Sequence, residues 1–163
     1  MHYGDRAEAD AACATWTGLP LETPLTITGT PVLHLVMSTT ATDGAVHAYL
    51  EAVAPEGRVV YLTEGVLRLQ HRAVGPAPYV TDGPYHPCTG ALARPMVPGS
   101  VEPIDLALLP VSAEVPQGWR VRLALAGADA GTFRAIALDE GARWTIHHGP
   151  EGSWLELPVE AHS

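Results

Sequence analysis

Apolar and polar residues alternate with a period near two along much of this chain, the spacing that divides a strand's side chains between two faces. The pattern is cleanest over Trp119–Gly127: Trp119, Val121, Leu123 and Leu125 share one face, and Arg120, Arg122, Ala124 and Ala126 the other. Ala45–Ala54 repeats it, with Val46, Ala48 and Leu50 set against His47, Tyr49 and Glu51. Pro55-Glu56-Gly57-Arg58 then has the composition of a tight turn, and Val59–Leu69 resumes the alternation. These two segments form a predicted hairpin, with Gly65 marking a bulge or a close backbone approach. Further strands are predicted at Ala12–Thr17, Leu25–Gly29, Pro31–Ser38, Val101–Leu109, Trp144–His148 and Ser153–Val159. No segment carries a long helical stripe, although Asp5–Ala14 suits a helical turn or two.

The chain has 16 glycines and 15 prolines, which punctuate it at short intervals. Between Arg72 and Ser100 no period survives, so residues 72–100 are predicted to be one long loop, of a length that usually serves a purpose. Residues 1–11 form a poorly defined lead. The remainder reads as a single domain over 1–163, all-β, with about eight or nine strands in two packed sheets, most simply a jelly-roll sandwich.

Composition narrows the function. A formal net charge of -9 repels nucleic acid, and all nine cations are scattered arginines. No apolar run reaches the roughly 18 residues of a membrane span. The acidic stretch Met1–Ala14 lacks the apolar core of a signal peptide, which leaves the cytoplasm as the default compartment. Cys13 and Cys88 fit no zinc spacing; they are read as two separate thiols, with a disulfide as the alternative. Ser38, Ser100, Ser112, Ser153 and Ser163 all lie outside the G-x-S-x-G setting of a nucleophile elbow. His147 and His148 are adjacent, so in a strand they point to opposite faces and do not readily chelate one ion. Asp43, Asp82, Asp129 and Asp139 sit in loops where calcium could bind, with turn formation as the plainer reading. No catalytic residue, metal or cofactor is expected.

Thr15-Trp16-Thr17, Pro20-Leu21, Ile27-Thr28-Gly29 and Pro31-Val32 open a recognisable series. It continues through Ser38, Asp43, Tyr49-Leu50-Glu51, Val53, Pro55, Gly57-Arg58, Thr63-Glu64-Gly65, Leu67-Arg68 and His71-Arg72. Pro98-Gly99, Leu109-Pro110, Gly118–Leu123, Ile146–Gly149 and Leu155–Val159 complete it. In this order, from about Ala12 to Glu160, the pieces resemble the C-terminal β domain of the Xaa-Pro dipeptidyl-peptidase, cocaine esterase and α-amino-acid ester hydrolase family. The resemblance implies a two-sheet, galactose-binding-like jelly roll packed against an α/β-hydrolase domain that carries a Ser–Asp–His triad. It implies an accessory role, shaping the substrate pocket and stabilising the enzyme, with no triad residue in this chain. Trp119 stands where the family usually has His, and the Arg134–Gly141 link is shorter than usual.

Candidate interdomain or pocket-rim residues are Glu64, Arg68, His71, Arg72, Tyr79, Tyr85 and His86. The arginines suit bidentate pairs with a neighbouring domain, and the aromatic and imidazole groups suit an interface. An ordinary polar sheet face and cover for the sandwich edge are the plainer readings. Trp16, Trp119 and Trp144 are read as packing residues. Two further functions remain open at this point: a self-standing carbohydrate- or ligand-binding module, and a homo-oligomerising domain.

Overall fold

A computed structural model describes residues 4–134, 136 and 141–160. After a short 3-10 turn at Ala9–Ala12 it contains β1 (Ala14–Thr17), β2 (Leu25–Gly29), β3 (Val32–Thr39), β4 (Ala45–Val53) and β5 (Val59–Arg68). A second 3-10 turn (Leu69–His71) leads into the long loop, after which come β6 (Glu102–Ala107), β7 (Val111–Val115), β8 (Arg120–Ala126), β9 (Trp144–Ile146) and β10 (Trp154–Glu156). All pairings are antiparallel: one sheet runs β1-β8-β4-β5, a second runs β10-β3-β6 with β9 also on β3, and β2 pairs β7. The pairs β1–β8, β2–β7, β3–β6 and β4–β5 are nested, as in a long hairpin folded back over itself.

The predicted two-sheet sandwich is what the chain adopts, and its ends differ from the expected ones by a few residues. One strand was not expected. Val111, Ala113 and Val115 alternate with Ser112 and Glu114 between Pro110 and Pro116, a stretch that was not among the predicted strands. In the structure both prolines fall outside the ladder and β7 pairs β2 along five residues, Leu25↔Val115 to Gly29↔Val111. Proline is tolerated there because no ladder donor is needed beyond the strand ends.

The β4–β5 hairpin forms as predicted, but its bulge is not at Gly65. The register passes from Leu50↔Thr63 to Glu51↔Tyr61, which leaves Leu62 as the extra residue. Gly65 instead marks a close approach: a Cβ there would lie 2.8 Å from the carbonyl oxygen of Ala107. Around it, Thr63 Oγ1 donates to the Leu109 carbonyl at 2.7 Å and Leu109 N donates to the Glu64 carbonyl at 2.8 Å. The two sheets are thus joined at backbone distance along the β5–β6 edge.

Leu33, Leu35 and Met37 of β3 pack against Val46, Ala48 and Leu50 of β4, with Ile104, Leu106 and Leu67 beside them. Each such side chain contributes about 1.5–3 kcal/mol by leaving water. The long loop has no strand, yet it is tied down. Arg94 N, Met96 N and Gly99 N donate to the carbonyls of Gln70, Thr42 and Thr39, and Met96 is 1% exposed in the core.

Gly65→Val should cost about 2 kcal/mol or more in chemical denaturation, because the obstructing group is backbone and cannot swing away. Gly90→Ala, where an added Cβ meets nothing within 4 Å, should change stability by less than about 0.5 kcal/mol.

Candidate functional site

The seven candidate residues do not converge on one pocket. Arg68, at the end of β5, donates through Nε and Nη2 to Asp43 Oδ2 at 2.9 and 2.6 Å. Burial pushes the Asp43 carboxyl up, but the Arg68 hydrogen bonds outweigh it and hold the group below its usual range. Arg72 Nη1 donates to the carbonyls of Leu69 (3.2 Å) and Arg94 (2.7 Å), and its Nε lies 3.5 Å from Glu102 Oε2. Both arginines therefore have partners within the chain. Glu64 sits opposite Tyr49 in the β4–β5 ladder, and His71 ends the 3-10 turn with Nδ1 buried.

Three candidates lie on the loop itself. His86 bridges it to β6, with Nε2 2.9 Å from the Asp105 carbonyl and Nδ1 3.3 Å from that of Ala73. Tyr85 accepts from Gly75 N, and Tyr79 meets the Tyr85 ring edge-on at 5.6 Å while remaining 62% exposed. Arg72 and His86 are thus fasteners, whereas Tyr79 is on offer to solvent. It has company: Val74, Val80, Leu92 and Val97 of the same loop are exposed, Val80 at 98%. Solvent-facing apolar side chains concentrated on one segment mark an interaction surface more often than scattered ones do.

Two further features escaped the sequence reading. The first is an apolar cleft of about 330 Å³ on the side of the sandwich opposite the β5–β6 edge. Leu33 and Leu35 of β3 and Val121, Leu123 and Leu125 of β8 line it, with Trp16 at the β1 margin and Leu155 at the β10 margin. The tryptophans Trp16, Trp119 and Trp144 all pack partly buried against the core, as read from the sequence.

The second is a polar cluster on the outer face of the first sheet. Residues 5–13 cross that face as a strap: Asp5 Oδ1 accepts from Val59 N (3.0 Å), Arg6 Nε donates to Glu51 Oε1, and Arg122 Nη1 donates to Asp10 Oδ2 (2.8 Å). The Arg6 guanidinium also lies 3.9 Å from the Tyr49 ring centroid. Beyond Glu51, Tyr49 donates to Asp129 Oδ2 at 2.6 Å, and Phe133 packs on His47 at 5.0 Å. Burial lowers the His47 pKa against the opposing pull of Asp129 and Glu64. Asp129 also caps its own turn by accepting from Gly131 N, and Asp139 lies outside the described residues. The signal for this cluster was present in the alternation of His47, Tyr49 and Glu51, which placed three polar groups on one face; the sequence did not say what covers them.

As chemistry, the arrangement is poor in catalytic groups. Ser38 Oγ lies 3.3 Å from His147 Nε2, but a serine–histidine contact needs an orienting group and oxyanion donors before it turns over an ester. The comparisons with known proteins agree with this. Residues 3–136 match the X-Pro dipeptidyl-peptidase C-terminal non-catalytic domain. The chain belongs to that family. Two curated relatives, from Mycobacterium bovis and Mycobacterium tuberculosis, are each 44% identical over 159 residues and are provisionally named serine esterases. The match takes in 96% of this chain and 25% of theirs, so the chain spans about a quarter of the length of the relatives it matches.

Solved structures share the fold at low identity. An α-amino acid ester hydrolase superposes with a TM-score of 0.77 at 19% identity, covering 96% of this chain and 27% of that one. A CocE/NonD family hydrolase from Staphylococcus aureus gives 0.74 at 16%, over 96% and 32% of the two chains. An aminopeptidase from a marine sediment Thaumarchaeota archaeon gives 0.72 at 19%, over 97% and 28%.

Arg72→Met should loosen the base of the long loop, since it removes the donor shared by the Leu69 and Arg94 carbonyls. The expected result is faster proteolysis within 72–100 and a stability loss of about 1–2 kcal/mol; an unchanged cleavage rate would contradict the fastening role.

Proposed function

We propose that this domain serves as the accessory β domain of a serine hydrolase acting on ester or amide bonds, and that its long loop docks against the α/β-hydrolase domain. The observation that carries this reading is the group of exposed apolar side chains on the loop, Val74, Tyr79, Val80, Leu92 and Val97, in a domain whose family is non-catalytic. The loop is anchored at both ends by Arg72, Arg94 and Met96, so these side chains are presented from a fixed base. A preformed apolar surface loses little conformational entropy on docking. The domain then contributes by stabilising its neighbour and closing one side of the substrate site, while the reaction is carried by the neighbour's own residues. The serine esterase names of the mycobacterial relatives support an ester bond.

Hydrolysis of p-nitrophenyl acetate and of an Xaa-Pro anilide tests the reading. Three proteins are compared: this chain alone, the Mycobacterium bovis relative with this chain in place of its matching segment, and that relative with the segment deleted. This chain alone should be inactive, the chimera active, and the activity of the relative at least about tenfold lower when the segment is deleted. Tyr79→Ser with Val80→Ser in the chimera should lower its melting temperature. Ester turnover by this chain alone would overturn the proposal.

A further inference from the structure

Strand β8 sets two of the chain's nine arginines side by side. Arg120 and Arg122 are alternate residues, so their side chains leave the same face about 7 Å apart. Both stand in the wall of a pocket of about 440 Å³ at the end of the first sheet, where β1 and β4 finish and β8 begins. Val53, Ala54 and Pro55 line it on the β4 side, and Thr17 and Pro20 on the β1 side. None of its lining residues is acidic, in a chain whose 18 acidic residues outnumber its 9 cations two to one.

The two guanidiniums are held differently. Arg122 is fixed: Nε donates to Thr17 Oγ1 at 2.9 Å and Nη1 to Asp10 Oδ2 at 2.8 Å. Its Nη2 protons meet no acceptor among the described residues. Arg120 is exposed, and its ladder partner on β4 is Val53, which offers no side-chain acceptor. It enters no ion pair or side-chain hydrogen bond among the described residues. Glu56, in the turn beside the pocket, lies 3.6 Å from Arg58, whose guanidinium rests 5.3 Å from the Trp119 ring centroid. The pocket therefore has a fixed arm and a free one, and Asp10 offsets only the charge of the fixed arm. Two adjacent like charges repel, and an anion between them relieves that repulsion.

We infer that this pocket binds an organic carboxylate, with Arg120 and Arg122 on its oxygens and its apolar body against Val53, Ala54 and the two prolines. A guanidinium is a planar fork that matches the two oxygens of a carboxylate. A phosphate group asks for more donors, which such sites draw from backbone N–H groups. Here Pro20 and Pro55 have none, and Gly57 N and Gly118 N are committed to the carbonyls of Ala54 and Leu21. A volume of about 440 Å³ lies in the range of small-molecule sites and far exceeds a bare ion. The walls are formed in advance: Gly57 and Gly118 hold their turns with φ of 95° and 80°, a region that other residues avoid. Binding thus costs little ordering beyond that of the Arg120 side chain. Every lining residue lies outside the long loop, so the site is independent of how that loop docks.

Titration of the native chain with hexanoate at low salt, followed through the arginine Nε–H resonances and by calorimetry, tests the site. Arg120 and Arg122 should shift together and saturate, and added sodium chloride should weaken the binding. Hexanol keeps the body without the charge, and inorganic phosphate keeps a charge without the body; each should bind more weakly than hexanoate. Arg120→Met should lower the affinity at least about tenfold. Arg120→Lys should restore only part of it, since an ammonium lacks the fork. Because the Arg120 side chain has no partner among the described residues, both variants should keep the native melting temperature, which separates lost binding from lost structure. Arg94→Met, at an exposed arginine on the long loop, should leave the affinity unchanged. Shifts that never saturate, equal affinity in Arg120→Met, or phosphate binding as tightly as hexanoate would overturn the carboxylate site.

Discussion

Strand β4 is buried on both faces along its whole length, and this constraint organises the rest of the domain. Its inward side chains, Val46, Ala48 and Leu50, ask only for apolar neighbours, which the second sheet supplies. Its outward side chains are His47, Tyr49 and Glu51, and burying a polar group without a partner costs several kcal/mol. Glu51 acquires Arg6 and Tyr49 acquires Asp129, whereas His47 packs against the Phe133 ring with its Nδ1 buried and without a hydrogen bond among the described residues. The N-terminal strap and the turn after β8 are held in place by the polar groups of the strand they cover. Small residues on the neighbouring strand make room, with Ala124 of β8 lying against Tyr49 in the ladder and fully buried.

The same logic explains a long loop without regular structure. A segment with no strand or helix has backbone groups to satisfy, and here several are satisfied one at a time by the end of β3, the turn after it and the 3-10 turn, while the His86 side chain fastens the loop to β6. The loop gives one side chain, Met96, to the core and leaves its other large apolar groups outside. A segment anchored by polar contacts and apolar at its surface is better suited to meet a partner than to close a core.

How far the fold was legible follows from which forces act locally. Alternation is local, and it located β2, β3, β4, β5 and β8 closely, because each of these strands has one face in the core. It failed for β7, where two prolines masked five residues whose partner, β2, is more than eighty positions away. Gly65 was recognised as special, but whether it bulges or yields space depends on Ala107, which local sequence cannot place. The candidate residues were found in part for the wrong partners: Arg68 and Arg72 look like outward-reaching cations until Asp43 and two carbonyls are seen beside them. Arg6 and Asp10, in a lead with no pattern of its own, gave no signal at all. Their role is created by β4 and β8, and it becomes visible only once the chain has folded over them.

The contact at Gly65 has a mechanical consequence. With the sheets held at backbone distance along β5 and β6, and the apolar cleft between β1 and β10 on the far side, the sandwich is built like a book with its spine at that glycine. Strands about 4.8 Å apart put β1 roughly 14 Å from the spine, so a tilt of about 5° between the covers moves the open margin by about 1 Å. Such a tilt scarcely disturbs the hydrogen bonds at the binding edge, but it widens or narrows the gap between Trp16 and Leu155. Any load on the domain is therefore felt first, and most, at the fore-edge of the book.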